Sequence, residues 1–167
     1  MATLALGEAV IDAMIAKLAN GLETRVAAIN AAAGDGGLVV TPVGRDAMYF
    51  GGVTEIPSAP AAIVFQLPSD GEHEAEGPHS FVWLAEFGVA VVEEDYDRQR
   101  LARKLMRQIK AVVEVLWDDE PKESLADGAF HLQFIRDDPG PVQEPAQEGS
   151  FWRAMHVAIF RVRSHEG

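Results

Sequence analysis

Residues Phe81–Val92 read FVWLAEFGVAVV, and the odd positions Phe81, Trp83, Ala85, Phe87, Val89 and Val91 are all apolar. Alternation of period two over that length specifies a long β-strand with one buried face. The other face is mixed, with Glu86 and Gly88 on it. A strand of this kind needs neighbours to pair with and an apolar layer to lie against.

Two segments can supply that layer. Leu4, Ile11, Ile15, Leu18, Leu22, Val26 and Ile29 recur at spacings of three, four or seven, which marks one face of a helix. Gly34-Asp35-Gly36-Gly37 ends it. Asn20-Gly21 is its weak point, because a mid-helix glycine costs ~1 kcal/mol against alanine. The segment is therefore one helix or two. The second segment opens on acid, with Asp95 or Asp97 as the cap, and carries the stripe Leu101, Leu105, Ile109, Val112 and Leu116. Asp118-Asp119-Glu120-Pro121 stops it.

The partner strands follow from the remaining apolar runs. Ala61–Leu67 is closed by Pro68, and Phe130–Arg136 and Phe151–Arg163 lie near the end of the chain. Phe151–Arg163 is apolar on both faces, which predicts a strand that is central or covered on both sides. Leu38-Val39-Val40 reads as a further short strand before Pro42. The acidic run Ser69–Ser80 between two strands predicts a hairpin with an extended tip. The nine prolines fall outside helix interiors or at strand edges, consistent with this division. The expected fold is a single α+β domain over 1–167, an antiparallel or mixed sheet against two main helices. Protruding loops are expected at 35–59, 68–80 and 137–150.

Composition removes several function classes. The chain has no cysteine, so disulfides, thiolate metal sites and cysteine nucleophiles are excluded. Its 14 basic and 26 acidic residues give a net charge of −12, which opposes binding to nucleic acid or to an anionic membrane. No run approaches the roughly eighteen apolar residues of a membrane span. The N-terminal stretch lacks a basic region and is broken by Glu8 and Asp12, so it reads as a mature helix rather than a leader.

Motifs that carry chemistry are scarce. Gly34–Gly37 lacks the lysine and the strand-to-helix setting of a phosphate loop. His73 and His79, among Glu72, Glu74 and Glu76, match no metal-ligand spacing and read as a solvated loop. His131 and His156 lie on strands that can be neighbours, and each reads as a structural histidine. No catalytic, cofactor-binding or metal residue is assigned. The strongest asymmetry is the basic helix, where Arg98, Arg100, Arg103, Lys104, Arg107 and Lys110 make up six of the fourteen basic residues. They either pair with nearby acids or form a subunit interface. A second copy of so acidic a chain would complement them.

The order of elements resembles the tail-terminator and tail-completion (neck) proteins of long-tailed phages and phage-like particles. The resemblance rests on the N-terminal amphipathic helix, the proline-preceded strand Pro57–Phe65 and the long strand Phe81–Val92. It rests also on the acid-led helix Asp97–Ile109 and the closing strand Trp152–Arg163 with its alternating apolar and basic residues. It covers most of the chain. It implies a non-enzymatic virion subunit of the tail or neck, assembled in the host cytoplasm. It further implies a homo-oligomeric ring, commonly a hexamer, that meets the tail tube protein and a neck or head-completion protein. DNA would pass through the lumen without specific binding, and no membrane or cofactor is involved. The competing class is a small ligand-binding or enzymatic α+β domain, for which His131, His156 and Glu86 are the candidates. An adaptor in a contractile secretion machine is a third option.

Overall fold

The computed structural model of the chain describes residues 2–34, 37–52, 55, 57–68, 72–77, 80–117 and 129–166, with side chains over somewhat less of it. Two helices, α1 (Ala2–Ala33) and α2 (Arg98–Leu116), lie on one side of a six-stranded sheet. The strands are β1 (Met48–Phe50), β2 (Ala61–Gln66), β3 (Glu72–Gly77), β4 (Ser80–Asp95), β5 (Ala129–Gln143) and β6 (Trp152–Glu166). Their order is β1-β2-β4-β6-β5, with β3 also paired to β4. The β1–β2 pair is parallel and the others are antiparallel, so the sheet is mixed. The chain is a single α+β domain, as its pattern predicts.

β4 is the spine. β6 runs along it from Phe81↔Glu166 to Asp95↔Trp152. β2 covers one part of its other edge and β3 continues along the same edge, so the segment expected as a protruding loop at 68–80 carries strand at Glu72–Gly77. Strand alternation then sorts the core. Ala85, Phe87, Val89 and Val91 face the helices, beside Ala62 and Val64 of β2 and Ala158, Phe160 and Val162 of β6. The helices bury Val10, Met14, Leu18, Leu22 and Val26 of α1 and Ile109, Val112 and Leu116 of α2 against them. Val10 and Met14 do more of this than Ile15 and Ile29, which are only partly buried. On the opposite face a smaller cluster forms from Ala61, Ile63, Ala90 and Val92, with Phe65, Met155 and Val157 around it. β6 is interior to the sheet, between β4 and β5, as its two apolar faces require.

Three further expectations are revised. α1 is continuous through Asn20-Gly21. The glycine has a packing reason, since a Cβ on Gly21 would sit 3.0 Å from Val115 Cγ1 of α2. Its propensity cost is offset by close helix approach. Gly34, at φ +65°, ends the helix in the left-handed conformation that favours glycine. Second, Leu38-Val39-Val40 pairs with no strand among the described residues. The Asn30 carboxamide donates to Val40 O at 2.9 Å and accepts from Val40 N at 3.1 Å. One side chain thereby does for Val40 what a neighbouring strand would do.

Third, the loop expected at 137–150 is strand as far as Gln143, paired to β6 at Asp138↔Val157, Pro139↔His156 and Gln143↔Arg153. Pro139 and Pro141 are tolerated because β5 is an edge strand and its register shifts between Pro139 and Val142. Gly140 serves the same irregularity, since a Cβ there would sit 2.8 Å from Met155 Cβ. Of the segment 35–59, the structure gives β1 and a 3₁₀ turn at Arg45–Ala47. The hairpin tip, including His79, and the α2–β5 connection 118–128 lie outside the described residues.

Phe160 is fully buried between α2 and the sheet, and Phe134 meets it edge-on at 5.7 Å. Phe160→Ala is predicted to cost about 3–5 kcal/mol, read as a fall in urea midpoint at unchanged slope. Met106→Ala, on the exposed side of α2, is predicted to stay within about 0.5 kcal/mol of wild type.

Candidate functional site

The charged residues gather where β4 hands over to α2. Alternation sends Glu93 and Asp95 toward the helices and Glu94 to the opposite face. Asp97 caps α2, its Oδ1 accepting from Gln99 N at 2.7 Å and Arg100 N at 3.2 Å. Asp95 Oδ1 accepts from Asp97 N at 2.9 Å and fixes the turn between strand and helix. Asp95 Oδ2 takes Lys104 Nζ at 3.0 Å and Arg100 Nε at 3.5 Å. Burial alone would raise the Asp95 carboxyl. The Asp97 amide, Lys104 and Arg100 outweigh it and hold the group below the ordinary carboxylate range.

The six basic residues divide unevenly. Lys104 also donates to Glu94 O at 2.9 Å. Arg100 donates to Gly37 O at 3.2 Å, and Arg107 to Leu38 O at 2.7 Å. These three cations clamp the 37–40 segment and the β4 end onto α2. Arg98 lies over the Trp152 ring at 5.4 Å, and Lys110 reaches Glu114 at 3.8 Å. Arg103 is exposed and has no partner among the described residues. Within this chain, five of the six act in the way a helix face paired with nearby groups would.

Glu93 and Gln108 emerge only from the structure. Gln108 occupies a core position of α2 and is fully buried. Its Nε2 donates to Thr41 O at 2.7 Å and Glu93 Oε1 at 2.9 Å, and its Oε1 has no partner among the described residues. Glu93 is only 4% exposed, and burial raises its carboxyl against the opposing effects of Gln108 and Lys104. The signal in the sequence was a glutamine three residues after Leu105 and four before Val112, a polar residue inside an apolar stripe.

A cleft of about 190 Å³ opens at this corner. Glu93, Glu94 and Lys104 line it on the polar side, with Val39, Pro60 and Phe151 on the apolar side. Val39 on its lining is 70% exposed, and the lining residue Phe151 stacks at 4.0 Å on Tyr96, which is 63% exposed. Other large apolar groups are exposed at opposite edges of the sheet, Phe50 on β1 and Val142 on β5.

The histidine and Glu86 candidates do not converge. Glu86 pairs with Arg161 at 3.3 Å on the face away from the helices. His156 lies opposite Val91, a helix-facing residue, with Nε2 2.6 Å from Asp137 Oδ2. His131 is on β5 near the other end of β6, its side chain outside the described residues. His73 is on β3 opposite Trp83, its side chain likewise outside them. Among the described residues no group of three or more His, Cys, Asp or Glu is placed to hold a metal ion, and no helix is long and apolar enough to cross a membrane.

No family model matches the sequence, and no curated protein matches it. Among solved structures the chain is similar to one titled "Virion of native gene transfer agent (GTA) particle". The two share 19% identity over 72% of this chain and 79% of that chain, with a TM-score of 0.45.

The two buried carboxyls predict opposite pH behaviour. Glu93, raised when folded, contributes stability in acid that is lost as pH rises through its folded value. Glu93→Gln keeps the acceptor for Gln108 and removes that loss. It is predicted to be more stable than wild type at neutral pH and to converge with it in acid. Asp95, lowered when folded, contributes stability at neutral pH that is lost as pH falls through its folded value. Asp95→Asn is predicted to be less stable at neutral pH, with the gap closing in acid. Urea midpoints of the three proteins across pH check both signs.

Proposed function

We propose that this chain is a structural subunit of a phage or phage-like tail. Copies of it form a ring, a hexamer, that terminates the tail tube and joins it to the neck or head. The observation that carries this reading is that the sheet ends, among the described residues, in two unlike edge strands. β1 leaves Phe50 exposed at one end of the strand order, and β5 leaves Val142 exposed at the other. A subunit with two different adhesive flanks makes head-to-tail contacts, which close into a ring when the rotation divides a full turn. Open edge strands are also the usual place for one chain to pair with another. The order of elements resembles tail-terminator proteins, and the net charge of −12 suits a lumen that DNA traverses without binding.

The ligand-binding alternative rests on the corner cleft. At about 190 Å³ that cleft is smaller than the roughly 300–1,000 Å³ of small-molecule sites. Its polar groups are also engaged in holding strand to helix. The assembly reading is the better supported of the two.

The test is to mix the purified protein with polymerising tail tube protein encoded beside it and image the product by electron microscopy. Tubes that stop growing and carry a ring at one end are the expected result. Tubes of unchanged length with bare ends would refute the reading. Phe50→Asp, at an exposed edge position, is predicted to weaken self-association by about 1–2 kcal/mol and to leave the urea midpoint nearly unchanged.

A further inference from the structure

We propose that the outer side of α2, where it overlooks β5, is the seat of helix α1 of a second copy of this chain. The inference rests on the assembly reading and names its contact.

Helices pack about 8–10 Å apart and strands about 4.8 Å apart, so one helix covers about two strands. Here α1 lies on β1 and β2, and α2 lies on β4 and β6. β5 ends the strand order, and among the described residues no helix covers it. Its residues Asp137, Pro139 and Val142 stand opposite Ala158, His156 and Ala154 of β6, on the side where the helices lie, and all three are exposed. Asp137 is bonded to His156 Nε2 at 2.6 Å. α2 turns apolar and basic groups to this side. Val115 lies against Gly21 of α1. Met106 precedes it by nine residues, which is about 180° round the helix, so Met106 faces away from α1. It is 71% exposed, and Trp117 at the end of the helix is 49% exposed. Arg103 and Lys110 flank Met106 on the same face. Arg103 is exposed and has no partner among the described residues. Lys110 reaches Glu114 of its own helix at 3.8 Å with its side chain 63% exposed, a pair that contributes little.

α1 carries the complement on its own outer side. Asp12 precedes Gly21 by nine residues and so faces about 180° away from α2. Glu8, Asp12, Ile15, Ala19 and Glu23 recur every three or four residues and form one stripe there. The three acids are exposed and have no partner among the described residues, while Ile15 and Ala19 are only partly buried. An acidic stripe with small or half-covered apolar groups between its charges thus matches a basic stripe with large exposed ones. The two stripes lie at opposite ends of one helix layer. Each copy therefore gives one and takes the other, as a head-to-tail ring requires. The same placement turns the β1 edge of one copy, with Phe50 exposed, toward the β5 edge of the next, with Val142 exposed.

Exchanging the charges tests the contact, read by sedimentation velocity across a concentration series. Arg103→Glu with Lys110→Glu leaves acid on both stripes and is expected to weaken self-association about tenfold or more. Asp12→Lys with Glu23→Lys leaves cations on both and is expected to do the same. All four changes in one chain reverse both signs and are expected to bring association back to within about threefold of wild type. Urea midpoints close to wild type show that the variants fold. Association indifferent to both pairs, or lost in them and not regained in the fourfold variant, overturns the inference. So does a wild-type chain that stays at the mass of one copy. The tube assay reads the other proposal separately. Capped tubes from the Arg103→Glu, Lys110→Glu protein leave only the tail reading standing. Association regained on charge exchange, with bare tubes, leaves only the contact. Capping lost in that variant with self-association unchanged assigns this face to the tail tube protein and overturns the inference.

Discussion

Everything in this subunit depends on the pleat of β4. Ala85, Phe87, Val89 and Val91 point to one side, and that side is where both helices lie. A one-residue slip would turn this set outward, so the register with β6 is strongly specified. Among the described residues no helix covers the opposite face. It is closed instead by small side chains, Ala61, Ala90 and Val92 with Ile63, and by the Phe65 ring lying over Gly88. Directly opposed ion pairs, Glu86–Arg161 and Glu94–Arg153, bracket that patch on β4 and β6. Exposed ion pairs contribute little to stability, so their main effect is on register and solubility.

The end of β4 changes role within three residues. Glu93 is buried and bonded to Gln108, Glu94 reaches Arg153 on the far face, and Asp95 anchors the turn into α2. The basic half of α2 is thus spent mostly on its own subunit. Arg100 and Arg107 hold backbone carbonyls of the unpaired 37–40 segment, and Lys104 holds the Glu94 carbonyl at the end of β4. What remains for outside contact is the Arg103–Met106 side, the aromatic rim at Tyr96 and Phe151, and the two sheet edges. That division leaves a net-acidic, ordinary-sized domain with exposed apolar side chains at several separate places around the corner and the sheet edges.

Much of the architecture was legible in the sequence because periodicity is a local signal. The β4 alternation from Ala85 to Val91, the α2 stripe and its Asp97 cap each appear in the structure at the residues that announced them. What was not legible depended on partners distant in sequence. Gly21 reads as a breaker until Val115 is placed against it. Val39 and Val40 read as strand until Asn30 takes the hydrogen bonds of Val40. Pro139 and Pro141 read as loop until β5 is known to be an edge. At the corner, the charge asymmetry of α2 was visible, but which cation remains free depends on where Asp95, Gly37 and Leu38 fall. Gln108 was the clue to the buried pair, and its meaning required Glu93 to arrive from a strand fifteen residues earlier.

The central claim is that the subunit is built to assemble with copies of itself. The mass of the purified protein, measured by light scattering across a concentration series, tests it most directly. Self-assembly would appear as a discrete ring-sized oligomer whose population grows with concentration at the expense of the 18.1 kDa chain. A mass that stays at that of one chain across the whole series would contradict it.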